Sequence, residues 1–307
     1  MNNMVISPIL YMGSKRRLIR RGLIDLFPNR IHTFIDAFAG SAIVSMNTHA
    51  QNYIINDIDD TLHIYYQLFS THCDNEIIKH IKQRIDEFDL PKKSTIRRFM
   101  DKNELEKYKK SYHHFRDNYN KNKNMLDLYT LMFFAFSQQF RVNKNGDFNM
   151  PLGNNCFSLK NEKSIVNGCD FFSRKNLIIY KEDFSSLFNN IKIDKQDFIY
   201  LDPPYSITTA TYTENAQWGI DDDLRLFQIC ENLNKQNICF GMSNILLNKG
   251  RNNLLLRDFC KDNDFTVFSP DNFQYNACGK ENKQQQEVFI CNYTVLHNQH
   301  HFSLVNI

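Results

Sequence analysis

The stretch that most constrains the fold is residues 33–57. Thr33-Phe-Ile-Asp-Ala37 is short, apolar and β-branched, and it runs into the small-residue turn Ala39-Gly40-Ser41-Ala42. A helix through Ile43, Val44 and Met46 follows. Next comes Tyr53-Ile-Ile55, a second buried strand that ends in Asn56-Asp57. Strand, tight turn, helix, strand is the opening of a doubly wound α/β sheet. The turn is not G-x-G-x-x-G, so a dinucleotide-phosphate cradle is not expected. Asp57 stands at the end of the strand that follows Asp36, where an acid commonly holds ribose hydroxyls.

Sheet signals resume at residues 177–180, 197–201 and 238–241, and a pair at 266–268 and 288–293 closes the sheet. Helices over 222–235 and 250–263 fit between them. Near the N-terminus, Leu18, Ile19, Leu23, Ile24 and Phe27 at helical spacing, with Pro28 beyond, predict an amphipathic helix over 16–28. Residues 62–136 differ in kind. They show hardly any strand signal and carry helical periodicity in Leu62, Tyr65, Tyr66 and Phe69, and later in Leu126, Tyr129 and Phe133. Residues 76–123 hold 14 Lys/Arg against 8 Asp/Glu, an excess larger than the +3 of the whole 307-residue chain. Residues 141–148 then read as a β-hairpin with Asn145-Gly146 as its two-residue turn. The expected organisation is an α/β domain made of residues 1–60 and 170–307, split by a basic, mainly helical insertion, 61–169, that bears the hairpin. A chain of this length buries a core without staples.

The eight cysteines (73, 156, 169, 230, 239, 260, 278 and 291) include no CxxC pair, and no His pair stands at zinc-finger spacing beside them. Free thiols and no metal site are the expectation. The N-terminus lacks the basic-then-apolar order of a signal peptide, and the longest apolar run, residues 131–136, is far too short to cross a bilayer. These features predict a soluble, cytoplasmic protein with no membrane partner. Nothing suggests an obligate oligomer, so a monomer is expected.

The segment with the most chemistry is Phe198-Ile-Tyr-Leu-Asp202-Pro203-Pro204-Tyr205. Active sites of open α/β sheets lie off the carboxyl ends of strands, where this acid stands. Prolines fix φ and cannot donate, so carbonyls in the turn can be held toward a ligand. Asp202 adds a second acceptor and Tyr205 a flat face. Two acceptors beside a stacking surface suit a planar amine or amide. The lone pair of such a nitrogen is delocalised. Accepting both its protons localises the pair as an electrophile approaches. Read alone, the segment is also compatible with a proline-rich turn after a strand.

Asp202-Pro-Pro-Tyr205 resembles the catalytic motif of amino-methyltransferases that use S-adenosylmethionine (AdoMet). Phe34-Ile-Asp36-Ala-Phe38-Ala39-Gly40-Ser41-Ala42 resembles their cofactor loop, and Tyr11-Met-Gly13-Ser-Lys15 the N-terminal cofactor segment of Dam-type DNA adenine-N6 methyltransferases. Tyr53-Ile-Ile-Asn-Asp57-Ile58 resembles the acidic end of their second strand. The run Phe136-Ser137-Gln-Gln-Phe-Arg141-Val-Asn143-Lys-Asn-Gly146-Asp-Phe148-Asn-Met-Pro151-Leu-Gly153 resembles their DNA-reading hairpin. Ser206-Ile-Thr-Thr and Gly241-Met-Ser243-Asn244 extend the likeness, most closely to the T-even phage-type Dam enzymes. On these motifs, which follow one another in the family's order over residues 10–293, the chain is identified as a member of the D12 class, alpha group.

The resemblance implies an AdoMet-dependent methyltransferase fold, a Rossmann-like doubly wound sheet with an inserted target-recognition domain. It implies a site-specific DNA-methyltransferase (adenine-specific) that moves a methyl group to N6 of an adenine flipped out of duplex DNA. Asp202, Pro203, Pro204 and Tyr205 would be catalytic. Tyr11, Lys15, Asp36, Phe38, Ala39, Gly40, Ser41, Ala42, Asp57, Ile58, Asp183, Phe184 and Asp202 would form the AdoMet site. Asp36 and Lys15 would lie at its amino-acid end, and Asp183-Phe184 at its adenine. Without the resemblance, Lys15 reads as an ordinary surface lysine and Phe184 as core.

Ser137, Arg141, Asn143, Pro151 and Asn155 would meet DNA, with Arg141 gripping a guanine edge. Lys92, Lys93, Arg97, Arg98, Lys107, Lys109 and Lys110 would face phosphates or form a solvated face. Arg16, Arg17, Arg20 and Arg21 make a second basic cluster. Dam enzymes that read GATC commonly carry a second basic reader after the Pro-x-Gly, where this chain has Asn154-Asn155. GATC is the expected target, with a relaxed or different short sequence as the alternative that this departure leaves open. A cognate restriction endonuclease is a partner the family allows. Two alternatives stand beside this reading: methylation of RNA or a protein glutamine, and a catalytically inactive DNA-binding relative.

Overall fold

Nine strands among the described residues join in one sheet. They are β1 (Thr33–Asp36), β2 (Asn52–Asn56), β3 (Leu177–Tyr180), β4 (Phe198–Leu201), β5 (Cys239–Asn248), β6 (Arg251–Asn252), β7 (Thr266–Pro270), β8 (Gln285–Cys291) and β9 (Phe302–Leu304). The ten α-helices among the described residues are α1 (Arg16–Arg20), α2 (Ile43–Asn47), α3 (Asp60–Thr71), α4 (Asp74–Glu87), α5 (Lys102–Asn122), α6 (Met125–Phe134), α7 (Leu159–Phe172), α8 (Phe184–Asn190), α9 (Ile220–Lys235) and α10 (Leu254–Asp262). The computed structural model describes residues 4–11, 13–92, 101–207, 218–271, 285–296 and 301–307. Within these, the chain divides into two units. One comprises Lys15–Ile58 and Asn176–Ile307; the other comprises Val5–Ser14 and Asp59–Lys175.

In the first unit the strand order is β3-β2-β1-β4-β5-β8-β7-β9, with β6 paired to β5. The run from β3 to β5 is parallel, and β8 enters antiparallel between β5 and β7. This is the doubly wound sheet that residues 33–57 predict. The order reverses between β1 and β4, and such a switch point opens a crevice at the carboxyl ends of the strands. The strands alternate between two buried faces. Ile35, Ile199, Leu201, Phe240, Met242, Val288 and Ile290 join the cluster that takes in Leu226, Phe227 and Leu256 of α9 and α10. Phe34, Phe198, Tyr200 and Phe289 meet Phe27 on the other face.

The helix expected over 16–28 ends early. Gly22, at φ 91°, closes α1 with Leu23 N–H donating to the Leu18 carbonyl and Gly22 N–H to that of Ile19. This is a Schellman cap, and the apolar spacing continues through a short 3-10 turn at Ile24–Leu26. Two strands escape sequence inspection. β6 has two residues, and β9 gains its place only by pairing with β7.

The second unit is helical. Asp59, Asp101 and Asn124 cap α3, α5 and α6 by accepting from the backbone amides of the first turn. α4 and α6 are joined by buried Asp127, whose Oδ1 accepts from His80 (2.7 Å) and Arg84 (2.8 Å). Burial works against the Asp127 carboxylate, but His80 and Arg84 outweigh it and hold its pKa below the usual range. Residues 5–14 cluster here rather than with the α/β domain to which residues 1–60 are assigned above. The Tyr129 hydroxyl donates to the Pro8 carbonyl (3.1 Å), anchoring that segment to α6.

The hairpin follows α6, with one change at its tip. Its loop has three residues, 144–146, rather than two. Asn143 N–H donates to the Asp147 carbonyl (2.8 Å), Gly146 N–H to that of Asn143 (3.0 Å), and within the loop only Gly146 has positive φ. A two-residue type I′ turn would need Asn145 left-handed as well. Here the Asn143 side chain accepts from the amides of Asn145 and Asp147 and stabilises the longer loop.

Candidate active site

Asp36 is the last residue of β1, and Asp202 is the first residue beyond β4. β1 and β4 are paired, with Asp36 opposite Tyr200, so both acids lie at the switch point. Asp202 Oδ1 accepts from Lys15 (2.7 Å) and from the Tyr205 hydroxyl (2.8 Å). No described residue donates to Oδ2. The Lys15 ammonium also stands over the Tyr205 ring, 5.2 Å from its centroid.

Lys15 is not the ordinary surface residue that its type suggests; it is 7% exposed. Burial disfavours its charge, but Asp202 and Glu287 overcome this and raise its pKa. Glu287 Oε1 is 3.6 Å from Lys15 Nζ. Sequence reasoning does not single out Glu287. The available signal is one acid in the otherwise uncharged strand β8, beside Val288 and Phe289.

Asp36 is buried. Its Oδ2 accepts from the Ser45 hydroxyl (2.6 Å), while Oδ1 has no hydrogen-bond partner among the described residues. Burial pushes its carboxyl up to about 7; Ser45 opposes the shift, and the charges of Asp202 and Asp57 add to it. An orphaned buried oxygen of this kind suits an ammonium group, which would favour the charged form.

The loop from Phe38 to Ala42 connects these acids to α2. Gly40 and Ala42 both have left-handed backbones, with φ 51° and 54°. Gly40 N–H donates to Asp57 Oδ2 (2.8 Å), and Ala39 N–H to the Asn56 carbonyl (2.8 Å), so the loop is tied to the end of β2. Ala39, Gly40, Ser41 and Ala42 are buried, whereas Ile58 is 64% exposed.

Phe38, Phe184 and Trp218 form an aromatic trio with centroids 5.3–5.6 Å apart. Phe184 is buried, as its type alone suggests. The Asp183 carboxylate is engaged within the protein. It caps α8 through Ser185 N–H and pairs with Arg225, whose guanidinium lies 4.6 Å from the Phe184 centroid. Tyr11 belongs to the second unit and is 44% exposed.

Residues 135–155 of the second unit carry the residues expected to meet DNA. Ser137, Arg141, Asn143, Pro151 and Asn155 are all exposed. Arg141 Nε donates to Asn149 Oδ1 (2.9 Å), and Asn149 N–H donates to the Arg141 carbonyl (3.1 Å). Ser137 and Gln138 are consecutive left-handed residues, φ 54° and 53°. That conformation costs about 1–2 kcal/mol per non-glycine residue and is typical of functional turns.

Of the basic residues expected to face phosphates or form a solvated face, Lys92 pairs with Asp86, Lys107 with Asp89 and Lys109 with Glu106. Lys93, Arg97, Arg98, Thr208, Thr209 and Cys278 lie outside the described residues. The seven described cysteines are free thiols. No three described His, Cys, Asp or Glu side chains gather as metal ligands, and no helix among the described residues is long and apolar enough to cross a membrane.

Residues 11–274 match the family described as D12 class N6 adenine-specific DNA methyltransferase. The chain is similar to the modification methylase StsI of Streptococcus sanguinis, with 31% identity across 94% of this chain and 43% of that protein. It is 33% identical to the Type II methyltransferase M.FokI of Planomicrobium okeanokoites, across 95% of this chain and 44% of that protein. Against the DNA adenine methylase of Escherichia coli (strain K12), identity is 24% across 68% of this chain and 70% of that protein. The chain thus spans less than half the length of the first two relatives.

Proposed function

Because the chain belongs to the D12 class of N6 adenine-specific DNA methyltransferases, we propose that it methylates N6 of an adenine within a short duplex DNA sequence. AdoMet supplies an electrophilic sulfonium methyl group. The observation that carries the reading is Asp202 at the switch point, with Oδ1 held by Lys15 and Tyr205 and Oδ2 without a donor among the described residues. Oδ2 accepts a hydrogen bond from one N–H of the target amine, and the Pro203 carbonyl accepts one from the other. The nitrogen lone pair is thereby localised, a new N–CH3 bond forms as the S–CH3 bond breaks, and the displaced proton leaves to solvent. The adenine is flipped from the stack, because its N6 is otherwise buried by pairing. Tyr205 then offers it a stacking face.

Asp36 would hold the ammonium of the cofactor through Oδ1, which has no partner among the described residues, and Asp57 would hold its ribose. Phe38 and Phe184, with the loop from Phe38 to Ala42, line its remainder. The hairpin reads sequence through the Nη pair of Arg141 on a guanine, assisted by Ser137, Asn143, Pro151 and Asn155. The target is GATC or a relaxed variant, with Asn154-Asn155 replacing a second basic reader. Kinship to the T-even phage type rests on the motif segments alone. The names of the relatives that cover most of the chain, a modification methylase and a Type II methyltransferase, support a modification role; a restriction endonuclease partner and a cytoplasmic location belong to the same proposal. Residues 61–169 act as the target-recognition domain, and the protein works as a monomer.

The test is to incubate purified protein with AdoMet and unmethylated duplex DNA, then map N6-methyladenine at base resolution. The expected result is methylation confined to one short sequence, abolished by Asp202→Ala with DNA binding largely retained. Wild-type-like methylation by Asp202→Ala would defeat the mechanism. Methyl transfer to RNA or protein but not to duplex DNA would defeat the substrate assignment.

A further inference from the structure

Lys15 rests between two carboxylates rather than on one. Its Nζ lies 2.7 Å from Asp202 Oδ1 and 3.6 Å from Glu287 Oε1, and the three side chains are only 7%, 18% and 13% exposed. Glu287 reaches this point from β8, opposite Ile245 of β5, and β5 in turn pairs with β4, which ends beside Asp202. The acids therefore approach Lys15 from different strands.

This arrangement has a cost and a use. Burying a second carboxylate beside Asp202 is unfavourable, and the pKa of Glu287 reflects it. Burial raises that pKa, Lys15 pulls it back, and Asp202 raises it further. A lysine paired with Asp202 alone would neutralise the acid that must accept a hydrogen bond from a weakly basic amine. It would also set a positive charge against the positive charge that develops on that amine. Two carboxylates sharing one ammonium leave the cluster negative, which suits both demands.

We propose that Glu287 is a positioning residue for methyl transfer: it shares Lys15 with Asp202 and so keeps the catalytic carboxylate able to accept from the target amine. This rests on the role given to Asp202 above and assigns that same site a further residue.

The test compares Glu287→Gln, Glu287→Asp and Asp202→Asn with the wild-type chain in single-turnover methyl transfer, with AdoMet Kd and DNA KM measured alongside. Glu287→Gln keeps the shape and removes the charge. Its single-turnover rate is expected to fall about ten- to a hundredfold, while AdoMet Kd and DNA KM stay within about twofold. Glu287→Asp, which restores the charge, is expected to regain part of the rate. Two results overturn the proposal while leaving Asp202 in place: a wild-type rate for Glu287→Gln beside an inactive Asp202→Asn, or equal losses in Glu287→Gln and Glu287→Asp accompanied by weakened AdoMet binding. Full activity in Asp202→Asn removes the underlying role of Asp202, and the proposal falls with it.

Discussion

Asp36 shows how much one side chain depends on its surroundings. As an isolated residue it would be ionised at neutral pH. Buried at the end of β1, with one oxygen unpartnered among the described residues and Asp202 and Asp57 nearby, its carboxyl is pushed up to about 7. Below that pH the folded protein keeps a proton that the unfolded chain releases from about pH 4 upward. Stability from this group therefore declines as pH rises from about 4 to about 7. A bound ammonium reverses the preference by favouring the ionised form. AdoMet affinity should accordingly strengthen as pH rises through 7, and Asp36→Asn should both weaken binding and flatten its pH profile. Calorimetric titration of AdoMet between pH 6 and 8 checks this, and an unchanged profile in Asp36→Asn would remove Asp36 from the cofactor site. The sequence makes Asp36 a candidate through its place at a strand end. Its altered titration depends on packing that no local pattern reports.

At the scale of elements, α5 does more than its composition suggests. Its lysines draw attention in the sequence as a basic surface, yet its inward residues hold the hairpin. The Asn120 side chain bonds both backbone groups of Phe148, accepting from N–H (2.8 Å) and donating to the carbonyl (3.0 Å), while the Tyr112 hydroxyl donates to the Met150 carbonyl (3.0 Å). Phe148 is buried, so removing the Asn120 amide leaves two backbone groups unsatisfied. Asn120→Ala should cost about 1–3 kcal/mol in chemical denaturation. It should also loosen sequence choice in the same direction as Arg141→Ala, because Arg141 stands on the segment that Asn120 anchors. Retained stability together with unchanged specificity would show that the hairpin holds itself. The hairpin was legible because Gly146 and the alternating residues around it are a local signal. Its support was not, because Asn120 and Phe148 meet only once the unit has folded.

For the whole molecule, the balance of +3 conceals a division of charge. Asp36, Asp57, Asp202 and Glu287 lie in the first unit, where the proposed cofactor is cationic at sulfur. The excess of basic residues lies in the second unit, which is the side proposed to meet DNA. The structure alters which of those cations matter. Lys92, Lys107 and Lys109 are held in close ion pairs, whereas among the described residues Lys102, Lys110 and Lys121 form no salt bridge, and Lys110 acts on Glu106 only through its charge. DNA affinity should fall steeply with salt despite the small net charge. Lys110→Ala should reduce the slope of log K against log salt by about 1, and Lys107→Ala by less. Fluorescence-anisotropy titrations at several salt concentrations would measure both slopes. Equal slopes for the two variants would mean that the internal ion pairs do not govern phosphate contact.

The sequence by itself determined the parallel sheet, the helical character of the insertion, the hairpin and the acid at the end of β4. Each is a pattern among neighbours, set by side-chain periodicity and turn chemistry over a few residues. Tertiary structure alone decided that Lys15 lies buried against Asp202, that Glu287 shares it, that Asp36 titrates near neutrality and that Asn120 anchors the hairpin. Those outcomes depend on desolvation and on charges brought together across the sheet or between helices. Coulomb and solvation energies depend on distance in space, and separation along the chain does not encode it.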